Sequence, residues 1–255
     1  MIYLIASGLS TFFGMANGLG AATLLRPLLD AVSPLSAASI SLLCTMAALC
    51  ASLVSAFFAL SKPLPLSQDD LLLLAVGSAL GGILGDLAAY RFLSMLPEVS
   101  GVFLQNALLL ILTALPLLYF EKLSHSLQPL GLSGVMAFPV ALAVGLLASF
   151  LAYGAEPLSL MLLFLLFDAN REEASIASLT IALCAMAGKL IIMLIRLRFT
   201  LPHADTLLWL LPGAALGALM ALPQPGRRIL RRSGDALLKL SLFTSLLNVA
   251  SAIMH

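Results

Sequence analysis

Two ionisable side chains, Glu156 and Lys189, stand inside long apolar stretches of a 255-residue chain. At membrane depth either one costs several kcal/mol unless it is paired, hydrated or neutralised. Glu156 sits in "YGAEPL", where an apolar run breaks and restarts. Two roles fit that position. It is a proton-coupling carboxyl whose neutral form burial favours and whose charged form the next half-helix favours, or it is a structural N-cap with Pro157 at the first helical position. Lys189 lies about 19 residues into the apolar helix that begins at Asn170. It is expected to face the bundle interior and either to pair with Glu156 or to bind an anion directly. Asp86, just after "GGILG", is a third buried candidate, as an ion ligand or cavity wall, or paired with Arg91 or a neighbouring helix. Asn17 and the pair Gln105-Asn106 offer neutral hydrogen bonds to an oxyanion, or serve as helix–helix glue. Arg196 falls seven residues after Lys189 on the same face and is read as snorkelling to the interface. Arg26 and Asp30, an i,i+4 pair, are read as structural or interfacial.

The elements that must position these groups follow from composition. The chain is 61% hydrophobic and 10% charged, with mean hydropathy +1.10. Apolar runs of bilayer-spanning length follow one another along it. The expected class is an all-α, polytopic helical membrane protein. The N-terminal "MIYLIASGLS" lacks the features of a cleaved signal and is expected to belong to the mature protein. No hydrophilic segment is long enough for a soluble catalytic domain, and a net charge of +1 carries no partner information. Nucleic acid is excluded as a partner, and no cofactor is expected. Cys44, Cys50 and Cys184 have no disulfide or metal spacing and read as small packing residues. His125, His203 and His255 fall in loops or at the terminus, which argues against haem or intramembrane metal ligation.

The predicted helices run from Ile2 to Ala16 and, after a break, from Ala22 to Ala31. Further helices are expected from Ser33-Pro34 to Leu60, Leu71 to Leu96 and Val99 to Phe120. After "EKLSHSLQPLG" come Leu132 to Ala152, a break, Leu158 to Phe167, Asn170 to Phe199, Thr206 to Leu222 and Asp235 to Met254. Asn170 and Glu173 have the spacing of a capping box. At an offset of 136 residues Gly18 maps onto Gly154, Ala38-Ser39-Ile40 onto Ala174-Ser175-Ile176, Asp69 onto Asp205, and "GSALG" from Gly77 onto "GAALG" from Gly213. The same offset sets Gly20 against Glu156 and Leu53 against Lys189. This reads as two internal repeats, residues 1–120 and 133–255 around a linker 121–132. Together they make about eight helical elements, with the first helix of each repeat broken.

Paired breaks at corresponding positions are the best sequence pointer to a midplane binding site. Each second half-helix aims its N–H groups and positive dipole end at that site, an arrangement suited to an anion. Gly18, Gly20 and Gly154 belong to the breaks. The stripes Gly77, Gly81, Gly85 and Gly213, Gly217, Ala221 are expected to let backbones approach closely as scaffold. Whether each broken helix crosses the membrane, making the repeats parallel, or returns as a hairpin, making them inverted, stays open. The basic cluster "GRRILRR", Gly226 to Arg232, reads as a cytoplasmic topogenic signal in a cell-membrane protein, with anionic-lipid contact as a secondary role.

The turn Gly18-Leu19-Gly20-Ala21-Ala22, followed by Pro27-Leu28-Leu29, Pro34-Leu35-Ser36-Ala37 and the glycine-rich helix with Gly77, Gly81, Gly82 and Gly85, resembles the sulfite exporter TauE/SafE family of transporters. The sequence departs from that pattern at Ala21, Ala22, Glu156-Pro157 and Leu163. The resemblance implies export of a small anion such as sulfite, a sulfonate or a related organic acid, coupled to an ion gradient. The expected partners are that anion and the lipid bilayer. On this reading Asn17, Gly18, Gly20, Gly154, Lys189 and Asn106 bind substrate, and Glu156 and Asp86 couple. A transporter of a cation or of another small solute, using Glu156 and Asp86, ranks second. A membrane-embedded enzyme lacks any HExxH, GxSxG or clustered His/Asp/Glu, and a purely structural subunit needs no central Lys or Glu.

Overall fold

The structure is a computed structural model that describes residues 1–17, 19–33, 35–59, 67–96, 98–120, 129–131, 134–152, 156–167, 169–197, 204–221, 239–247 and 250. Its helices are α1 (Ile2–Ala16), α2 (Ala21–Val32), α3 (Ala37–Ala59), α4 (Gln68–Ser94), α5 (Glu98–Leu118), α6 (Ala137–Leu151, led by a 3-10 turn at Gly134–Met136), α7 (Glu156–Phe167), α8 (Arg171–Arg196) and α9 (Ala204–Ala221). A further helix, α10, covers 239–247. Among the described residues five helical segments are long and apolar enough to cross a membrane: Ala37–Phe58, Gln68–Ser94, Gly134–Leu151, Glu173–Arg196 and Ala204–Ala221.

α4 explains how such a bundle packs. Apart from Leu74 near its start, its buried face is small or polar, with Gly77, Ser78, Gly81, Gly82, Gly85, Asp86 and Ala89. Its exposed face carries Leu72, Val76, Leu80, Leu84 and Leu87. That is the inverse of a soluble helix, because lipid accepts leucine while close backbone approach rewards glycine. A Cβ at Gly81 would run into the Leu142 carbonyl and stand 2.9 Å from the Leu146 nitrogen, and one at Gly77 would stand 2.6 Å from the Phe138 carbonyl. α9 treats α1 the same way: a Cβ at Gly217 would meet the Gly8 carbonyl and stand 2.9 Å from the Phe12 nitrogen. We expect Gly81→Leu to destabilise the detergent-solubilised protein by about 1–3 kcal/mol or more, because it forces two backbones apart. Leu84→Ala, on the exposed face, should change the melting midpoint little. Equal midpoints for the two variants would refute the close-packing role.

Residue numbers rise together where α4 meets α6 and where α9 meets α1, so each pair is parallel. α4 is also parallel to α8. Ser78 lies beside Cys184, Gly82 lies on Ala185, and Asp86 meets Lys189 and Arg196. The connection from α3 to α4 is too short to traverse a bilayer, so α4 runs back against α3.

Both broken helices are hairpins. The hydroxyl of Tyr3, at the start of α1, lies 3.2 Å from that of Ser33, just past the end of α2. The Leu130 N–H, ahead of α6, donates to the Leu165 carbonyl near the end of α7 at 2.9 Å. Each chain therefore returns to the side from which it came. The first hairpin leads into α3 and the second into α8. Since α8 runs with α4 and against α3, the hairpins enter from opposite faces. Their tips lie at mid-height. Ala21 packs with Ala51 of α3 and Ala218 of α9, and the Ser149 hydroxyl donates at 2.6 Å to the carbonyl of Gly82, near the centre of α4.

Local capping moves several predicted boundaries. Ser33 ends α2 in extended geometry instead of starting α3; Ser36 accepts from the Ser39 N–H at the start of α3 instead. α4 starts before Leu71 because the Ser67 hydroxyl accepts from the Asp70 N–H at 3.1 Å. Asn170 and Glu173 do form the reciprocal pair, at 2.9 and 3.0 Å. Pro27 leaves the Thr23 carbonyl without its helical donor, and the Ser241 hydroxyl of α10 supplies one at 2.9 Å.

Candidate functional site

The first tip is built by two glycines. α1 stops at Asn17, whose amide donates back to the Phe13 carbonyl at 2.8 Å. The Leu19 N–H turns onto the Gly14 carbonyl at 2.8 Å. Gly20, with φ +77°, then caps the start of α2 in a conformation that side chains resist. At Gly14 a Cβ would collide with the Gly20 carbonyl, so the turn folds flat onto the last turn of α1. The second tip leaves α6 through Ala152 at φ 49°, a left-handed residue that is not glycine and costs about 1–3 kcal/mol.

At these tips the starts of α2 and α7 converge. The Glu156 carboxyl packs directly against the Cα of Gly20, so that any Cβ there would overlap it. Glu156 is 5% exposed, and its Oε2 has no hydrogen-bond partner among the described residues. It is the first helical residue of α7, with Pro157 second, one place further in than the predicted N-cap. Two half-helices thus present their N-terminal ends, where free N–H groups and positive dipole charge collect, around one carboxylate.

Lys189 is 1% exposed and does not pair with Glu156. Its ammonium donates to the Ser149 carbonyl in the last turn of α6 and lies 3.8 Å from Asp86. Asp86 also takes the Arg196 guanidinium at 2.5 Å. Arg196, 28% exposed, stacks 4.1 Å above the Tyr90 ring. Arg196 is thus ion-paired instead of snorkelling, and Asp86 finds its partners on α8 and not in Arg91.

Arg26 is the residue the sequence reading undervalued. It is 2% exposed and joins three elements: Asp30 at 2.9 Å on α2, the Leu151 carbonyl of α6 at 3.2 Å and Gln105 Oε1 of α5 at 3.2 Å. Its position in an apolar half-helix eight residues from the break was the available signal, since an interfacial arginine belongs at a helix end. Together Arg26 and Lys189 hold the carbonyls at the C-terminus of α6, where the dipole favours cations.

The structure therefore brings Gly20 to Glu156, and Lys189 to Asp86. Asn17 stays in the first turn as a cap. Asn106 is buried on α5 beside Gln105. Gly18, Gly154, the basic cluster and all three histidines lie outside the described residues. The cysteines are free; Cys50 donates to the Leu211 carbonyl at 3.8 Å. Among the described residues no group of three His, Cys, Asp or Glu side chains is placed to hold a metal ion.

Apolar spans that enclose two facing hairpins, with discontinuous helix ends meeting in the interior, define an integral membrane protein of the transporter class. The family model for the sulfite exporter TauE/SafE matches residues 3–253. The chain belongs to that family, one of transporters and not of enzymes. No curated protein and no solved structure matches it.

Proposed function

We propose that the protein is a secondary transporter of a small oxyanion, of the sulfite, sulfonate or related organic-acid class, with its site where the two hairpin tips meet. One observation carries the reading: a carboxylate, itself a small oxyanion, rests between the N-termini of α2 and α7 with an oxygen unpartnered among the described residues. On this reading Glu156 is the proton-coupling group. Lys189 and Arg26 fix the tip of the second hairpin through the Ser149 and Leu151 carbonyls and lend the region positive charge. Gly18, Gly154, Asn17 and Asn106 remain proposed contributors to the anion site.

The chain is read as two copies, residues 1–120 and 133–255, related by a pseudo-two-fold axis in the membrane plane. In support, the offset that equates Gly20 with Glu156 equates two residues that touch, and α1–α9 packing has the same anatomy as α4–α6 packing. The Arg227–Arg232 cluster follows α9 in the chain, so the end of α9 faces the cytoplasm by the positive-inside rule, in a multi-pass protein of the plasma membrane. A cation substrate fits less well. Asp86 is committed to Lys189 and Arg196, and Glu156 lies at helix ends that repel cations.

The test is labelled sulfite flux into liposomes reconstituted with the full chain, with and without an imposed pH gradient. Gradient-driven accumulation in wild type and its loss in Glu156→Gln, by at least about tenfold, is the expected result. Undiminished accumulation by both Glu156→Gln and Lys189→Leu would remove these residues from the mechanism.

A further inference from the structure

The position of Glu156 settles more than its presence. A neutral coupling acid needs only to lie near a substrate. This one lies in the place that an anion would take, against the Gly20 Cα at the N-terminus of α2 and at the first position of α7. A helix end alone would not make a site. Here the second observation is a side chain more than nine-tenths buried, with a carboxylate oxygen unpartnered among the described residues.

The neighbours leave the negative charge of Glu156 unmatched by a side chain. Away from the ends of the surrounding helices, the charged and titratable groups are Arg26 of α2, Asp86 of α4, Lys189 of α8 and the thiols of Cys44, Cys50 and Cys184, with Asp30, Arg196 and Tyr90 engaged alongside them. α6 contributes none, and α5 none between Glu98 and Leu118. Arg26 is bound to Asp30, and Lys189 and Arg196 to Asp86; none forms an ion pair with Glu156 among the described residues. What stabilises a carboxylate there is the pair of helix ends, which is also what would stabilise a bound oxyanion.

Resting on the anion reading above, we infer that the Glu156 carboxylate and the transported oxyanion occupy the same place in turn, so that one proton binds with each anion. When an anion takes the helix ends, the displaced carboxylate accepts one proton from solution and becomes a neutral acid. When the anion leaves, the proton leaves too and the carboxylate returns. A monovalent anion and its proton therefore travel together with no net charge. The ligand class follows from the resident group: small monovalent oxyanions no bulkier than a carboxylate or sulfonate, formate among them.

Methanesulfonate is the suitable probe because its charge stays fixed across the working pH range. Its binding to the purified full-length protein is titrated calorimetrically from pH 5.5 to 8.5 in buffers of different ionisation heat, which counts the protons taken up. In wild type the dissociation constant should rise about tenfold per pH unit over the range in which Glu156 ionises, because only the protonated fraction is competent. Proton uptake should approach one per anion, and formate should compete. In Glu156→Gln, and in Glu156→Ala as a second variant, both pH dependence and proton uptake should vanish. Wild-type binding without proton uptake overturns the inference with no variant needed and leaves the anion reading standing. So does an unchanged pH slope in a variant that elutes as a monodisperse species. No binding of methanesulfonate, sulfite or formate at any pH overturns the anion reading, and this inference with it.

Discussion

Asp86→Asn is expected to cost about 3–5 kcal/mol, the penalty for leaving a buried charge without its partner. Asp86 is the anion shared by Lys189 at 3.8 Å and Arg196 at 2.5 Å. Without its charge, the almost fully buried Lys189 keeps, among the described residues, the Ser149 carbonyl, and Arg196 keeps its stacking on Tyr90. The double variant Asp86→Asn/Lys189→Met removes the stranded ammonium as well and should recover much of the loss. Thermal unfolding of the detergent-solubilised full chain, read by size-exclusion chromatography, separates the cases. Equal midpoints for single and double variants would mean that Lys189 is balanced by something other than Asp86. The transport readout should follow stability only in part, because Lys189 also anchors the second hairpin.

Arg26→Leu should be comparably severe, again about 3–5 kcal/mol, and should also uncouple the two hairpins. Its guanidinium joins α2 to both the Leu151 carbonyl of α6 and Gln105 of α5. Leucine fills the volume and strands Asp30, which is itself nearly buried. Arg26→Lys should rescue poorly, since an ammonium cannot span three partners in the fixed fork of an arginine. Gln105→Leu, which removes one neutral acceptor, should cost only about 0.5–1.5 kcal/mol. Full rescue by lysine would show that charge alone matters and that the three-way bridge does not.

Much of the helical framework was legible because its signals are local. An apolar run of about twenty residues declares a span, and Gly14, Gly20 and the "YGAEPL" interruption declared both breaks to within a residue or two. The capping box at Asn170 is read within four residues. Local signals also failed where two elements compete for one residue. Ser33 has the chemistry to start α3, yet it closes α2 beside Tyr3. Loop-like "PLSQDD" hid a good N-cap, because the apolar pattern of α4 begins a turn later than its hydrogen bonds.

The candidate site was legible as a list of residues but not as a set of pairs. Membrane depth singled out Glu156, Lys189 and Asp86, since ionisable groups are too costly there to be incidental. Depth gives no direction around a helix axis or across a bundle. The partner of Lys189 therefore became Asp86 and a carbonyl instead of Glu156, and of the two readings of Arg26, structural or interfacial, it is the structural one that its burial and its partners bear out.

By itself the sequence determined that this chain lives in a bilayer as a helical bundle with two interrupted helices. Hydrocarbon thickness and the need to satisfy every backbone group act over a few turns of chain. Only the tertiary structure decided that those helices return as hairpins from opposite faces, that Gly20 and Glu156 meet, and that Asp86 holds Lys189 and Arg196. Each of those outcomes is a contact between residues 30 to 136 positions apart. At that range helix packing, set by where glycine lets two backbones touch, chooses the partner.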